Sequence, residues 1–353
     1  MDRYTRQTTL PEFGLEGQQK LSAAKVLVVG LGGLGLSALQ YLNAMGVGTL
    51  GLVDQDIIDF HNLQRQILYT EKDVGSSKLS TVLERLQAQN SHTKFNVHDS
   101  FLTKDNALDI IKEYDVVLDA TDNFGTRYLI NDACVILNKP FIYGALHGFE
   151  GHVSVFNYQN GPTYRCVYPE MPSTEEIPNC DENGVLGVIP GIIGNLQALE
   201  TVKVIVGLGN VLSEKLLIFD GLNQNYLKIA LQKNPKNKEI TQLADSYGTL
   251  DCEVVPAISA QAFSQKRFTE NCILLDVRTP KEFEKQHLSE AVNIPLSELK
   301  LPIKLLDSKE PIYVICQSGK RSEQAVQQLQ IEHPKLSFFH ILGGMNRVSV
   351  LTH

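Results

Sequence analysis

Apolar and polar positions fall into alternating blocks along this chain. Residues 26–29 are an unbroken apolar run, which passes into Gly30-Leu-Gly32-Gly33-Leu-Gly35 and then into a helical pattern carried by Leu34, Ala38, Tyr41, Leu42 and Met45. The spacing predicts a buried strand, a glycine turn and a helix ending near Gly46, then a second strand over 49–53 that stops at Asp54. Later blocks predict helices over 18–24, 78–89 and 192–206 and strands over 115–119, 139–144, 151–156, 216–220 and 226–231. From Lys233 to Gly248 the pattern dissolves into Pro, Asn and Lys, and a linker is expected over 233–249. Beyond it, strands over 273–278 and 311–316, a short helix capped by Thr279 with Pro280 in its first turn, and a helix ending at Gln330 announce a second α/β unit over 250–353.

Length agrees with two domains, the first over 1–232, since 353 residues exceed one average domain. A formal charge of -8 argues against nucleic acid as a partner. Six cysteines without a C-x-x-C pair suggest neither a disulfide framework nor a zinc knuckle, and a reducing compartment is expected. The first residues lack an apolar core of signal-peptide type, and no run of about 18 apolar residues suggests a membrane span. The expectation is a cytoplasmic protein without membrane contact.

Glycines between a strand and a helix let the backbone approach a ligand, and the helix amino end faces it with free N–H groups and a positive dipole end. An acid at the end of the next strand, Asp54, can accept both hydroxyls of a ribose. The motif therefore points to a nucleotide without saying which. The segment from Gln55 to Gln66 is dense in polar side chains, Lys78 follows Gly75-Ser-Ser, and Asp119 and Asp122 stand at the end of another strand. Arg6, Arg65 and Lys78 with Asp54, Asp56 and Asp122 suit attack at a phosphate, which needs fixed cations and a carboxylate for Mg²⁺. A dinucleotide-dependent oxidoreductase would explain the glycines and Asp54 but leave the cations idle.

Arg3-Tyr-x-Arg6-Gln7, the glycine loop, Asp54-x-Asp56, Asn62-Leu-Gln-Arg65-Gln66, Gly75-x-x-Lys78 and Asp119-x-Thr-Asp122-Asn123 together resemble the MoeB/ThiF family over residues 3–231. The resemblance implies a Rossmann-like ATP-binding adenylation domain with a mixed sheet. It implies use of ATP and Mg²⁺ to adenylate the carboxy-terminal glycine of a ubiquitin-like sulfur carrier ending in Gly-Gly. Asp54 would hold the ribose, Arg65 and Lys78 the phosphates, and Asp122 the metal, with Asn62, Gln66 and Asn123 completing the nucleotide site. Arg6 would serve the neighbouring subunit of a homodimer. Relatives can use a crossover-loop cysteine covalently, and Cys180 occupies that place among acidic neighbours that would raise a thiol pKa. Relatives also bind a structural zinc through two C-x-x-C pairs. Here Thr163 precedes Cys166 and the segment 233–238 offers no cysteine, so no structural zinc is expected.

Cys316 opens Cys-Gln-Ser-Gly-Lys-Arg321-Ser322 at a strand end facing a helix amino terminus, a setting that should lower a thiol pKa below its usual value of about 8.5. With Asp276-Val-Arg278, Glu282-Phe283, His287, Val292-Asn-Ile-Pro295 and Leu342-Gly-Gly-Met345, this region is similar to a small α/β rhodanese-like domain. The loop has the rhodanese length, shorter than that of related phosphatases. The resemblance implies a Cys316 persulfide, assisted by Arg321 and loaded by thiosulfate or a cysteine desulfurase persulfide, as the source of sulfur. A redox sensor built on Cys316 and adenylation of a short peptide are the other readings left open.

Overall fold

A computed structural model describes residues 3–172, 184–247, 255–267, 272–301, 310–334 and 336–351. It divides into two compact units, residues 1–251 and 252–353.

In the first unit, short helix α1 (Thr5–Thr8) and α2 (Gly14–Ala23) precede β1 (Lys25–Val29), α3 (Gly33–Ala44) and β2 (Thr49–Val53). Then come α4 (Lys78–Gln89), β3 (Lys94–His98), α5 (Ala107–Ile111), β4 (Val116–Asp119), α6 (Phe124–Ile136), β5 (Phe141–His147) and β6 (Glu150–Phe156). One turn of helix, α7 (Tyr164–Val167), and the long α8 (Val188–Val206) lead to β7 (Lys215–Asp220) and β8 (Asn225–Ala230). The sheet order is β3-β2-β1-β4-β5-β6-β7-β8, parallel from β3 to β5 and antiparallel from there to β8.

The unbroken apolar runs follow from burial on both faces of this sheet. Val26 and Val28 point into one core with Leu36, Leu39 and Ile193, while Leu27 and Val29 point into another with Tyr128, Leu129 and Phe141. Each fully buried Val or Leu contributes about 1.5–3 kcal/mol relative to exposure. α8 is long and apolar enough by length and composition to cross a membrane, but half of it is buried against α3 and the sheet. A Cβ on Gly194 of α8 would stand 2.4 Å from the Leu34 carbonyl oxygen, which shows how closely the two helices approach.

Helices α1, α5 and α6 and strand β3 lie where no element was expected, and two further segments differ from the sequence expectation. The first helix begins a turn earlier, at Gly14. The described part of the expected linker, 233–247, is no free tether: Tyr247 is buried and its hydroxyl donates to Asp132 at 2.8 Å, while Lys238 reaches Asn157. Leu243, Ala244 and Tyr247 are the anchors, hidden in a polar composition because few apolar residues suffice to pin an irregular segment.

The second unit is a five-stranded parallel sheet of order β11-β10-β12-β13-β9, made of β9 (Ala257–Ser259), β10 (Ile273–Asp276), β11 (Ala291–Asn293), β12 (Ile312–Ile315) and β13 (Phe338–Leu342). Leu275, Val314 and Phe338 face one core and Leu274, Tyr313 and Ile341 the other. The last helix, Gly344–Leu351, seals the second core with Met345 and Val348.

Candidate active sites

At the carboxyl end of β1 the chain turns at Gly30 with φ +97°, and a Cβ there would lie 2.7 Å from the Ala120 carbonyl oxygen. Gly35 is required by closeness rather than torsion, its Cβ position being 2.0 Å from the Gly30 oxygen. Gly32 caps α3 in extended conformation and Gly33 lies against Pro190, so the amino end of α3 stands open above the strand. Asp54 fixes this turn, because its Oδ2 accepts the Leu31 N–H at 2.7 Å and its Oδ1 the Asp56 N–H at 2.8 Å. Burial raises the Asp54 carboxyl above the usual range, with Lys78 opposing. Its remaining lone pairs are the ones free for a ribose.

Lys78, the first residue of α4, is buried and donates to Asp56 Oδ2 at 2.7 Å. Arg65 is half-exposed, its guanidinium donating among the described residues to the His61 carbonyl at 3.2 Å, and its backbone carbonyl lies under Gly33. Gln66 is buried near Gly32, with its Oε1 free of hydrogen bonds among the described residues. Asp122 is exposed and accepts no hydrogen bond from a described residue.

Two of the expected nucleotide ligands also hold local structure through their side-chain oxygens. Asn62 Oδ1 accepts the Asp59 N–H in a capping box, and Asn123 Oδ1 accepts the Thr126 N–H at 2.8 Å as the cap of α6. Arg6 is exposed on α1, which is tied to the far end of α3 by Gln7 donating to the Met45 carbonyl at 2.9 Å. A helix of 12 residues, about 18 Å long, therefore separates Arg6 from its own glycine loop. Cys180 lies outside the described residues. The sequence reading missed Arg127, a buried guanidinium on α6; an arginine two residues after the Asp122-Asn123-Phe-Gly turn, in a helix rich in apolar residues, was the available signal.

In the second unit Cys316 follows β12 and is fully buried. Its Sγ accepts the Gly319 N–H at 3.1 Å and lies 3.5 Å from Ser322 Oγ. Gly319, at φ +99°, turns the chain into the helix Lys320–Glu332. The loop is braced from behind by the Met345 N–H on the Cys316 carbonyl at 2.8 Å, and from the side by Arg278, which pairs with buried Asp276 at 2.6 Å and donates to Gln317. Arg321 forms a two-pronged pair with Glu282 at 2.7 and 2.9 Å. Those hydrogen bonds hold the Glu282 carboxyl down at about 2. Asn293 ties the neighbouring strand in by donating to the Asp276 and Arg278 carbonyls, both at 2.9 Å.

This pairing of a nucleotide cradle with a cysteine loop can be set beside known proteins. The profile of the ThiF family matches residues 4–241. The chain belongs to the ThiF family. A rhodanese-like domain matches residues 259–351. Adenylyltransferase and sulfurtransferase MOCS3-2 of Drosophila pseudoobscura pseudoobscura is 42% identical over 98% of this chain and 82% of its own length. Adenylyltransferase and sulfurtransferase MOCS3 of Drosophila sechellia is 41% identical over the same shares. Among solved structures, Escherichia coli MccB superposes with a TM-score of 0.60 at 23% identity, covering 66% of this chain and 70% of that one. MccB with ATP gives 0.58 at 23% identity, over 67% and 73%. These likenesses establish a shared fold for the ThiF-type unit.

Where the resemblance implies a structural zinc, the described residues form a hydrogen-bonded cluster. Thr163, Cys166, Asn234 and Asn237 keep the paired spacing and come together around the Cys166 sulfur. That sulfur receives the Thr163 N–H at 3.4 Å, the Asn234 N–H at 3.3 Å and an Asn237 Nδ2–H at 3.4 Å, with Thr163 Oγ1 also at 3.4 Å. Burial pushes the Cys166 thiol up, but the hydrogen bonds from Thr163, Asn234 and Asn237 outweigh it and bring it below its usual value. One sulfur, one hydroxyl and two amides aimed N–H inward do not fit a tetrahedral zinc, which takes thiolate or imidazole ligands.

Proposed function

We propose that this protein activates the carboxy-terminal glycine of a ubiquitin-like sulfur carrier with ATP and then converts it to a thiocarboxylate with sulfur from Cys316. The observation that carries the reading is the pairing, within one ThiF-family chain, of a glycine cradle flanked by Lys78, Arg65 and an exposed Asp122 with a cysteine held on a rhodanese-type loop. A short peptide substrate would leave the second unit without work.

In the first half-reaction a carboxylate oxygen of the terminal glycine attacks the α-phosphorus, and the bond to pyrophosphate breaks. The amino end of α3 and the Lys78 and Arg65 cations meet the charge that builds on the phosphoryl oxygens. Asp56 orients the Lys78 ammonium, and Asp54 keeps the cradle closed on the ribose. Asp122, a single exposed carboxylate, suits Mg²⁺ held largely by phosphates and water, and Mg²⁺ would neutralise charge on the leaving pyrophosphate. Arg6 would reach the site of a second copy in a homodimer.

In the second half-reaction the outer sulfur of a Cys316 persulfide attacks the acyl carbon and AMP leaves, giving an acyl disulfide. A further thiol then cleaves the sulfur–sulfur bond, releasing the thiocarboxylate and leaving a protein disulfide. The Gly319 N–H holds the Cys316 sulfur that accepts sulfur from the donor, thiosulfate or a protein persulfide.

ATP–pyrophosphate exchange that needs a carrier with a free Gly-Gly end, and its loss in Asp122→Ala, tests the first step. Cys316→Ala should keep exchange and stop thiocarboxylate formation, read by the mass change of sulfur replacing oxygen in the carrier. In the same assay Cys180→Ala reports whether that thiol is the one that resolves the acyl disulfide. Full thiocarboxylate yield from Cys316→Ala would refute the sulfur relay, and exchange at the wild-type rate in Asp122→Ala would refute the metal role.

A further inference from the structure

Beneath Asp122 lies a charged pair that the reaction above does not use. Arg127, in the first turns of α6, is 7% exposed, and Asp119, the last residue of β4, is fully buried. Arg127 Nη2 donates to the Thr121 carbonyl at 2.7 Å, and the Gly144 carbonyl lies 3.4 Å away. Asp119 Oδ1 accepts both the Thr121 N–H at 3.0 Å and the Thr121 hydroxyl at 2.6 Å. Gln197 of α8 donates to the Asp119 carbonyl at 2.7 Å. Every polar group of Thr121 is thus clamped by a charged partner, while Asn123 on the other side is committed to capping α6. Between them Asp122 is exposed and accepts no hydrogen bond from a described residue, while its charge is felt by Arg127 and Asp119.

The pair does little for itself. Arg127 Nε and Asp119 Oδ2 stand 3.8 Å apart, an ion pair too long for a hydrogen bond, and neither atom has another hydrogen-bond partner among the described residues. The Phe124 and Tyr143 rings lie 5.9 and 5.5 Å from the guanidinium carbon and shield it from water. Replacing a buried ion pair with well-packed neutral residues is often neutral or stabilising, so stability alone does not account for two charges at this place.

We propose that Arg127 is the positioning residue for Asp122. Through Thr121, and with Asp119 as its counter-charge, it holds the backbone so that the Asp122 carboxylate is presented rigidly to the metal–triphosphate, a role that rests on the metal role proposed for Asp122. Outer-shell partners of this kind set metal affinity without touching the metal.

The test is calorimetric binding of a non-hydrolysable ATP analogue to the full chain, with and without Mg²⁺, alongside exchange rates across a Mg²⁺ titration. The variants are Arg127→Gln, Arg127→Lys and the charge-balanced pair Asp119→Asn with Arg127→Gln, which leaves no lone buried charge should the single change fail to fold. The expected result is metal-free affinity as in the wild type, with about a 10-fold rise in the Mg²⁺ needed for half-maximal exchange and an equal loss of the Mg²⁺-dependent gain in affinity. Arg127→Lys, which can still donate to the Thr121 carbonyl, should recover part of both. A lowered melting temperature with an unchanged Mg²⁺ dependence in the double variant would make Arg127 merely structural and overturn the proposal, while Asp122→Ala would still lose its Mg²⁺ response. If the wild type itself gains no affinity with Mg²⁺, the metal role of Asp122 and the positioning role fall together.

Discussion

Replacing Cys166 by alanine should loosen the segment that follows β8, and the structure sets the size of the effect. The Asn234 N–H and the Asn237 amide, at 3.3 and 3.4 Å from the sulfur, are the bonds that tie this segment to α7. A net hydrogen bond contributes about 0.5–1.5 kcal/mol, so the two together contribute about 1–3 kcal/mol. Cys166 is only half-buried, and water can take over part of its donors, which favours the lower half of that range. For a unit of this size each kcal/mol shifts the melting temperature by roughly 2–4 °C, so a fall of about 2–8 °C is expected. Cys166→Ser retains an acceptor and should lose less. The assay is thermal unfolding of wild type and both variants with and without a chelator, joined to limited proteolysis mapped within 233–247. The chelator should change nothing in any of them, whereas Thr163→Cys, Asn234→Cys and Asn237→Cys together should create zinc uptake and chelator sensitivity. One zinc per wild-type chain, or a Cys166→Ala protein as stable and as protease-resistant as wild type, would refute the hydrogen-bonded clasp.

Two other outcomes follow from single groups. Gly35→Ala must push a methyl against the Gly30 oxygen 2.0 Å away, so it should distort the cradle and abolish ATP binding by calorimetry; near-normal affinity would show that the turn is softer than its packing. His340 on β13 is buried, and burial keeps its imidazole below its ordinary value of 6.5. The unfolded chain therefore takes up this proton first, so the stability of the second unit should be full above about pH 6.5 and fall as pH drops below it. His340→Gln should flatten that slope in unfolding curves, and an unchanged slope would assign it to other groups.

Local chemistry was legible without coordinates wherever a residue's role is set by its near neighbours in the chain. Runs of apolar residues buried on two faces, the glycines between β1 and α3, the Thr279 cap and the Cys316 loop all declare themselves by spacing, because strand pleat, helix pitch and capping are short-range geometry. The ThiF-type motifs were legible for the same reason. Roles that depend on partners distant in sequence were not. The helix-capping bonds of Asn62 and Asn123 show only once their partners are placed. Tyr247 looks like part of a linker until Asp132, 115 positions earlier, takes its hydroxyl. Arg127 is one of two charges on α6 until Asp119 of β4 and Tyr143 and Gly144 of β5 close around it, and four unremarkable residues become a clasp only when 163–166 and 234–237 meet at one sulfur. Burial and long-range hydrogen bonding are properties of the closed fold, in which desolvation forces each polar group to find whichever partner the topology brings to it.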